Sequence, residues 1–443
     1  MIALSEHFSF KKLFRFAIPS IIMLIFTSIY GVIDGFFVSN FVGKDAFSAV
    51  NFVYPVLIIL GCFGFMFGTG SAALISKTMG EGDNKKANEI FSMIVFVAVI
   101  VGLILSISAI ILLPKILYAL GAKDTLLKNA TLYGRIILAV LPFYILQYEF
   151  QCLFAVSEKP KLGLYVALIA GFSNIIGDAI ASFCLPTNLK FIGAGVASAL
   201  GFFLGGLIPI IYFIRKNTSR LRLGKFKMNF KYLGQIVLNG SSEFVSNVSG
   251  SVVSMLYNIK LMEYAPDNGI AAYGVLMYVN MIFQAIFIGY SVGISPIIGY
   301  NFGAKNDSEL QNIFKKSLIT ISITAICMFL CGELLARPMG LIFVSYDEEL
   351  LALTIRAFRF FSFSFLFSGF TIFTSSFFTS LNNGKISMGV SFFRTCVCQI
   401  SCVLILPLIF KIDGIWLSMT AADIAACTLS IIFLIIKRKK YNY

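Results

Sequence analysis

The sequence predicts an all-α polytopic membrane protein, with twelve transmembrane helices in two six-helix, pseudo-symmetric bundles. Three observations predict it. Apolar residues make up 58% of the 443, and the mean hydropathy is +0.90, which is more apolar side chain than a soluble protein can hide. Runs of about 20 apolar residues recur along the whole chain, each long enough for a hydrocarbon core of roughly 30 Å, and lipid requires each to pair its own backbone groups as a helix. Finally, the two halves of the chain carry traces of a repeat.

The apolar runs predict helices over 16–39, 50–78, 90–114, 131–154, 163–184, 193–214, 236–262, 272–300, 316–335, 356–380, 388–410 and 415–436. The first follows a basic start, MIALSEHFSFKKLFRF, but runs past Ile33 with no small-residue cleavage site, so it reads as a retained helix. An even number of spans returns both termini to one side. Of the 35 Lys and Arg, 23 lie in the tails and loops of that side, which places both termini in the cytoplasm. The net charge of +14 is therefore a topology signal and not a nucleic-acid footprint.

The most polar and basic interval, RKNTSRLRLGKFKMNFK at 215–231, falls near the middle. MGEGDNKKANEIF at 79–91 and FGAKNDSELQNIF at 302–314 each follow a long apolar helix, and a shift of 223 residues lays Gly80 on Gly303 and Gly70 on Gly293. The expected organisation is a six-helix lobe over 1–214, a basic cytoplasmic linker over 215–231, and a second six-helix lobe over 232–443. Six spans per half make the halves parallel repeats about an axis along the membrane normal, an arrangement typical of transporters.

Composition excludes several functions. The only histidine is His7, in the N-terminal tail, and the nine cysteines sit almost wholly in apolar segments with no metal spacing. Neither a His-based metal site nor a His-dependent hydrolase fits, and the chain reads as no enzyme and as needing no cofactor. Internal duplication and the lack of a filter-like loop disfavour a channel.

A charge in mid-bilayer costs at least about 2.5–3.5 kcal/mol, so the intramembrane acids carry the functional reading. Asp34 lies inside the first helix, which Pro19 begins. Asn174 and Asp178, in GFSNIIGDAIASF, share a face of the fifth helix, and Ser198 follows GAGVAS in the sixth. Together they offer oxygen ligands suited to a hard cation such as Na⁺, and desolvated carboxylates held close together could instead carry a proton. No other metal is indicated. A structural polar clamp between helices is the competing reading. Pro19 is the one proline singled out as a hinge, because it shares its helix with Asp34; Pro55, Pro142, Pro209 and Pro296 read as static kinks.

In the second half Glu243 and Asn247, in LNGSSEFVSNVSG, form a possible ion or substrate site. Glu149, Asp423 and Arg394 are further intramembrane polar groups, with Arg394 either snorkelling or paired to a buried acid. Glu333, beside Arg337, reads as an interface residue. Gly64-x-x-x-Gly68 reads as helix packing. Some of the 47 Phe and 14 Met are expected to line a central cavity, where they would suit flat, greasy cations.

The chain resembles the multidrug and toxic compound extrusion (MATE) family over its full length. The resemblance rests on IPSIIMLIFTSIYGVIDGFFV, PVLIILG, GTGSA and GEGD, then QCLFAVSEKPK, Asn174 with Asp178, and GAGVAS. The second half adds SSEFVSN, AAYGV, GISPIIGYNFGA and GIWLS with AAD. It implies an efflux antiporter of two six-helix lobes that exports amphipathic, often cationic, drugs in exchange for Na⁺ or H⁺ by alternating access. It also implies a monomer among membrane lipids in a bacterial plasma (inner) membrane, and a first-half cation site at Asp34, Asn174, Asp178 and Ser198. Two positions depart from the family: Ala155 stands where an Arg is frequent, and RFFSFSFLFSGFTIFTSSFFTS lacks the acid that many members carry there. The resemblance therefore favours the first-half site over one centred on Glu243. The alternative within the same superfamily is a lipid-linked precursor flippase, which would line its cavity with several Arg and Lys. Here the intramembrane cations are mainly Arg135, Arg359 and Arg394.

Overall fold

The computed structural model describes residues 2–266, 268–344 and 347–443. Among them the chain is helical, without strands: α1 Phe10–Phe37, α2 Lys44–Gly80, α3 Asn84–Ala119, α4 Asp124–Ala139, α5 Leu141–Val156, α6 Pro160–Cys184, α7 Thr187–Ile214, α8 Phe230–Tyr264, α9 Asn268–Gly303, α10 Asp307–Val344, α11 Glu348–Ser362, α12 Phe365–Ser380, α13 Gly384–Phe392, α14 Ile400–Phe410 and α15 Ile412–Tyr441. Short π-helical turns at Val38–Val42 and Phe393–Gln399 extend α1 and join α13 to α14.

Nine of these helical stretches are long and apolar enough to cross a membrane, and two bent pairs raise the number to eleven. The twelfth span is α8, which is 35 residues long. Its Ser, Asn and Glu243 residues keep its hydropathy low. The spans predicted over 131–154 and 356–380 as single helices are corrected here: α4–α5 bends by 57° and α11–α12 by 47°. Pro142 explains the first bend, because a residue without an N–H fits the opening turn of α5 and not the interior of a continuous helix. α1 begins at Phe10 and not at 16, because Ser9 Oγ accepts from the Lys12 N–H and caps the helix. Ile104, Ile107 and Ile111 of α3, at helical spacing, form an exposed apolar stripe suited to lipid.

Within the first half α6 packs on α7 and α1, and α2 packs on α5. Between halves α2 lies against α8, and α9 lies against α1 and α2. Glycines permit these crossings. A Cβ added to Gly80 would stand 2.0 Å from the Tyr300 carbonyl oxygen, and one on Gly303 2.1 Å from that of Lys77. The same reciprocity holds one layer away: Gly70 meets Ile236 O at 2.0 Å, and Gly240 meets Met66 O at 1.8 Å. Backbone thus touches backbone across the pseudo-two-fold at one end of the molecule.

That end also carries the chain between α7 and α8, which packs on α3: Asn88 accepts from the Arg222 N–H (2.6 Å) and Ser92 Oγ from the Gly224 N–H (3.0 Å). The first residues lie there too. Leu4 and Phe8 are fully buried. The Leu4 N–H donates to Glu158 Oε1 (2.9 Å), just past α5, and the Phe8 N–H donates to Glu309 Oε1 (2.9 Å) in α10. Glu309 also holds His7 Nδ1 (2.7 Å), and Lys316 Nζ donates to Phe8 O (2.7 Å). This segment spans the two halves.

Candidate functional site

Small residues bring α6 and α7 together: a Cβ on Gly177 would lie 2.7 Å from Ala197 Cβ, and one on Gly201 3.1 Å from Ala170 O. This puts Ser198 beside Asn174 and both beside Asp34 of α1. Ser198 Oγ donates to Asp34 Oδ1 (3.0 Å), and Asn174 Nδ2 donates to Ser198 Oγ (3.4 Å). Asp178 stands one turn beyond Asn174 on the same face of α6. Asn174, Asp178 and Ser198 are buried, and Asp34 is half-buried. Both Asp178 carboxylate oxygens and Asn174 Oδ1 have no hydrogen-bond partner. Two carboxylates are acceptors only, so they settle side by side through a proton or a cation placed between them. The set of carboxylate, amide and hydroxyl oxygens, of which those of Asp178 and Asn174 are free, fits a hard monovalent cation or a proton. The π turn at Val38–Val42 follows Asp34 by one turn, and such turns gather at functional sites.

The other polar residues take distinct places. Arg394, inside the second π turn, donates from Nε to Asp423 Oδ1 at 2.8 Å; the Asp423 side chain is fully buried and that of Arg394 is 14% exposed. Of the two placements expected for Arg394, the structure has the pair with a buried acid. Glu149 is fully buried, and neither carboxylate oxygen has a partner, so no Lys or Arg compensates it. The Glu333 carboxylate accepts from Ser362 Oγ at the α11–α12 bend and is not paired with Arg337. Pro19 lies inside an unbroken α1. Gly64 packs on α5, its added Cβ 2.3 Å from Ile145 O.

A cavity of about 340 Å³ lies mainly in the second half, lined by Glu243, Asn247, Arg394 and residues of α9, α12 and α15. The aromatic lining expected of a central cavity is absent from it: its 23 lining residues include no Phe, Tyr or Trp, and Met419 is the one Met. Phe63 and Phe244 instead meet across the halves, with ring centroids 5.2 Å apart. The hydroxyl lining of α12 was missed by sequence reasoning. Its signal was the Ser/Thr recurrence in TIFTSSFFTS, which a search for acids passes over.

A chain that crosses the bilayer as a pair of helical bundles, with ionisable groups gathered inside one and a polar cavity in the other, is a membrane transporter and not an enzyme. It belongs to the MatE family, whose model matches twice, at residues 19–180 and 244–405. The multidrug export protein MepA of Staphylococcus haemolyticus is 28% identical over 325 residues, covering 73% of this chain and 71% of that one. MepA of Staphylococcus aureus strain MRSA252 is 26% identical, covering 72% and 70%. Among solved structures, an outward-facing multidrug resistance MATE family transporter of the MOP superfamily superposes with a TM-score of 0.92, at 19% identity over 99% of this chain and 97% of that one. A MATE in the straight conformation gives 0.91, at 19% identity over 99% and 98%.

Proposed function

We propose that the protein is a secondary-active efflux antiporter of a bacterial plasma membrane that exports amphipathic, often cationic, compounds in exchange for Na⁺ or H⁺. The observation that carries this reading is the buried group of Asp34, Asn174, Asp178 and Ser198, whose free oxygens have no fixed counter-charge. The multidrug export names of the Staphylococcus relatives support the substrate class. Both termini are cytoplasmic on the charge bias. The end sealed by Gly80 and Gly303 is then the inner one, and the cavity faces outward. Ion uptake at Asp34 and Asp178 favours one arrangement of the halves over the other, and only that difference in affinity drives export. Pro19 gives α1 a place to bend as the ion arrives. The protein works as a monomer surrounded by lipid, and its lobes are residues 1–214 and 232–443 joined by 215–231.

The test is efflux of ethidium from proteoliposomes under an imposed Na⁺ gradient, and then a pH gradient, for wild type and Asp34→Asn. Wild type responds to one of the gradients, and Asp34→Asn reaches the membrane folded but exports nothing. Unchanged efflux by that variant would overturn the reading.

A further inference from the structure

A second cavity, of about 530 Å³, lies at the end where the first residues pack, between them and the start of α6. Its volume is within the range of small-ligand sites. Six charged side chains line it: Glu6, Lys12, Arg15, Glu158, Lys159 and Lys161. Both acids are already engaged. Glu6 Oε2 takes Lys12 Nζ at 2.6 Å, and Glu158 Oε1 takes the Leu4 N–H and, at 3.3 Å, Arg220 Nε. Lys159 Nζ donates to a neutral partner, Thr218 Oγ1 (2.8 Å). Among the described residues no carboxylate pairs with Arg15, Lys159 or Lys161. Three positive charges therefore line one space uncompensated. α6 also begins there, opened by Pro160 and without a side-chain cap, so its amide end adds partial positive charge.

Two apolar stripes lead away from this cavity. Lys161 stands one turn before Tyr165 in α6, and Tyr165, Ile169, Phe172 and Ile176 are all exposed at helical spacing. Arg15 stands one turn before Ile18 in α1, and Ile18 and Ile22 are exposed at the same spacing. α1 packs on α6, and the two stripes meet where the rings of Phe26 and Phe172 lie 5.4 Å apart. Each stripe thus carries an unpaired cation at its head. Basic residues at the start of a membrane helix are common and need no ligand. These differ in lining a shared cavity that opens onto apolar faces. A soluble anion would use the charges and leave the stripes idle, and hydrocarbon alone would leave the charges unmatched. A molecule with an anionic head and apolar tails uses both.

We propose that this cavity binds the headgroup of an anionic diacyl phospholipid, with Arg15, Lys159 and Lys161 around its phosphate and its acyl chains lying along α1 and α6. The site is one of specific lipid recognition, and it does not depend on the export reading.

The probe is phosphatidylglycerol added to the delipidated full chain in detergent, with bound molecules counted by native mass spectrometry. Wild type is expected to bind one molecule in preference to phosphatidylcholine of the same chain length. Arg15→Gln with Lys161→Gln weakens that binding about thirtyfold. Lys437→Gln with Lys439→Gln, which removes equal charge from the end of α15, leaves it unchanged. Glycerol 3-phosphate, a soluble anion with the same phosphate, does not compete. A melting curve checks that each variant is folded. Phosphatidylglycerol with a photoreactive acyl chain supplies a readout that needs no variant: it crosslinks wild type on α1 and α6. Four results would each overturn the proposal. They are no preference for the anionic lipid, equal losses in the two double variants, competition by glycerol 3-phosphate, and crosslinks confined to other helices. Ethidium efflux by wild type tests the export reading separately, and the failure of either leaves the other standing.

Discussion

The reciprocal glycine contact between halves lends itself to a quantitative perturbation. A Cβ on Gly303 would stand 2.1 Å from Lys77 O, whereas ordinary contact begins at 3.4 Å, so Gly303→Ala requires the α2 and α9 backbones to part by about 1.3 Å. No rotamer change relieves this, because the obstructing atoms are main-chain atoms of a helix. Overpacking of this kind costs about 1–3 kcal/mol. Charged against the sealed arrangement alone, that shifts its equilibrium with an opened one by roughly fivefold to 150-fold. Gly80→Ala, with 2.0 Å to Tyr300 O, should act alike. Spin labels at Asn84 and Asp307, which begin α3 and α10 just beyond the contact, report the separation by double electron–electron resonance. The nine free cysteines are first replaced. Gly303→Ala should broaden the distance distribution and move it to longer values. Gly274→Ala, on the same helix with nothing within 4 Å of the added Cβ, should leave it unchanged. Identical distributions for Gly303→Ala and Gly274→Ala would refute the reasoning that this contact sets the closed end.

Other outcomes follow from single contacts. Arg394→Met strands the buried Asp423 carboxylate and should destabilise the protein by about 3–5 kcal/mol, while the double variant with Asp423→Leu regains most of that in a denaturant melt; a single variant as stable as wild type would show that the pair is not compensating a buried charge. Glu309→Ala removes the acceptor of the Phe8 N–H and of His7, so amide exchange over Leu4–Phe8 should speed up about tenfold or more, as read by mass spectrometry. Protection equal to wild type would mean that apolar burial alone holds the segment.

The fold was legible because hydropathy reports lipid burial directly: eleven spans stand out on length and apolarity once the bent pairs are joined. The first bend was legible as a kink at Pro142 but not as a break, because the apolar run continues through Val140; at the second, Ser362 and Ser364 around Phe363 are too short an interruption to mark one. The nearness of Asn174 to Asp178 follows from helical spacing. The meeting of Asp34 with Ser198 depends on how α1 packs against α6 and α7, which spacing along one sequence does not state; its hints were two acids too costly to leave apart in lipid and the family resemblance. The pairing of Arg394 with Asp423 stayed open for the same reason, since 29 residues and a π turn separate them. The segment at Leu4–Phe8 gave no hint at all. Its partners are Glu158 and Glu309, surface-type residues by composition, and its hydrogen bonds come from main-chain amides that every sequence possesses.

That segment constrains how the molecule is assembled. Leu4 waits for a carboxylate 154 positions downstream, and Phe8 for one 301 positions downstream. This early segment therefore finds its seats only after eight of the twelve crossings have been threaded and the ninth, α10, has begun. Until then two apolar side chains and their unpaired amides stand free at the membrane surface. A bulky fusion placed ahead of them would have to be accommodated inside a finished joint and not merely beside it.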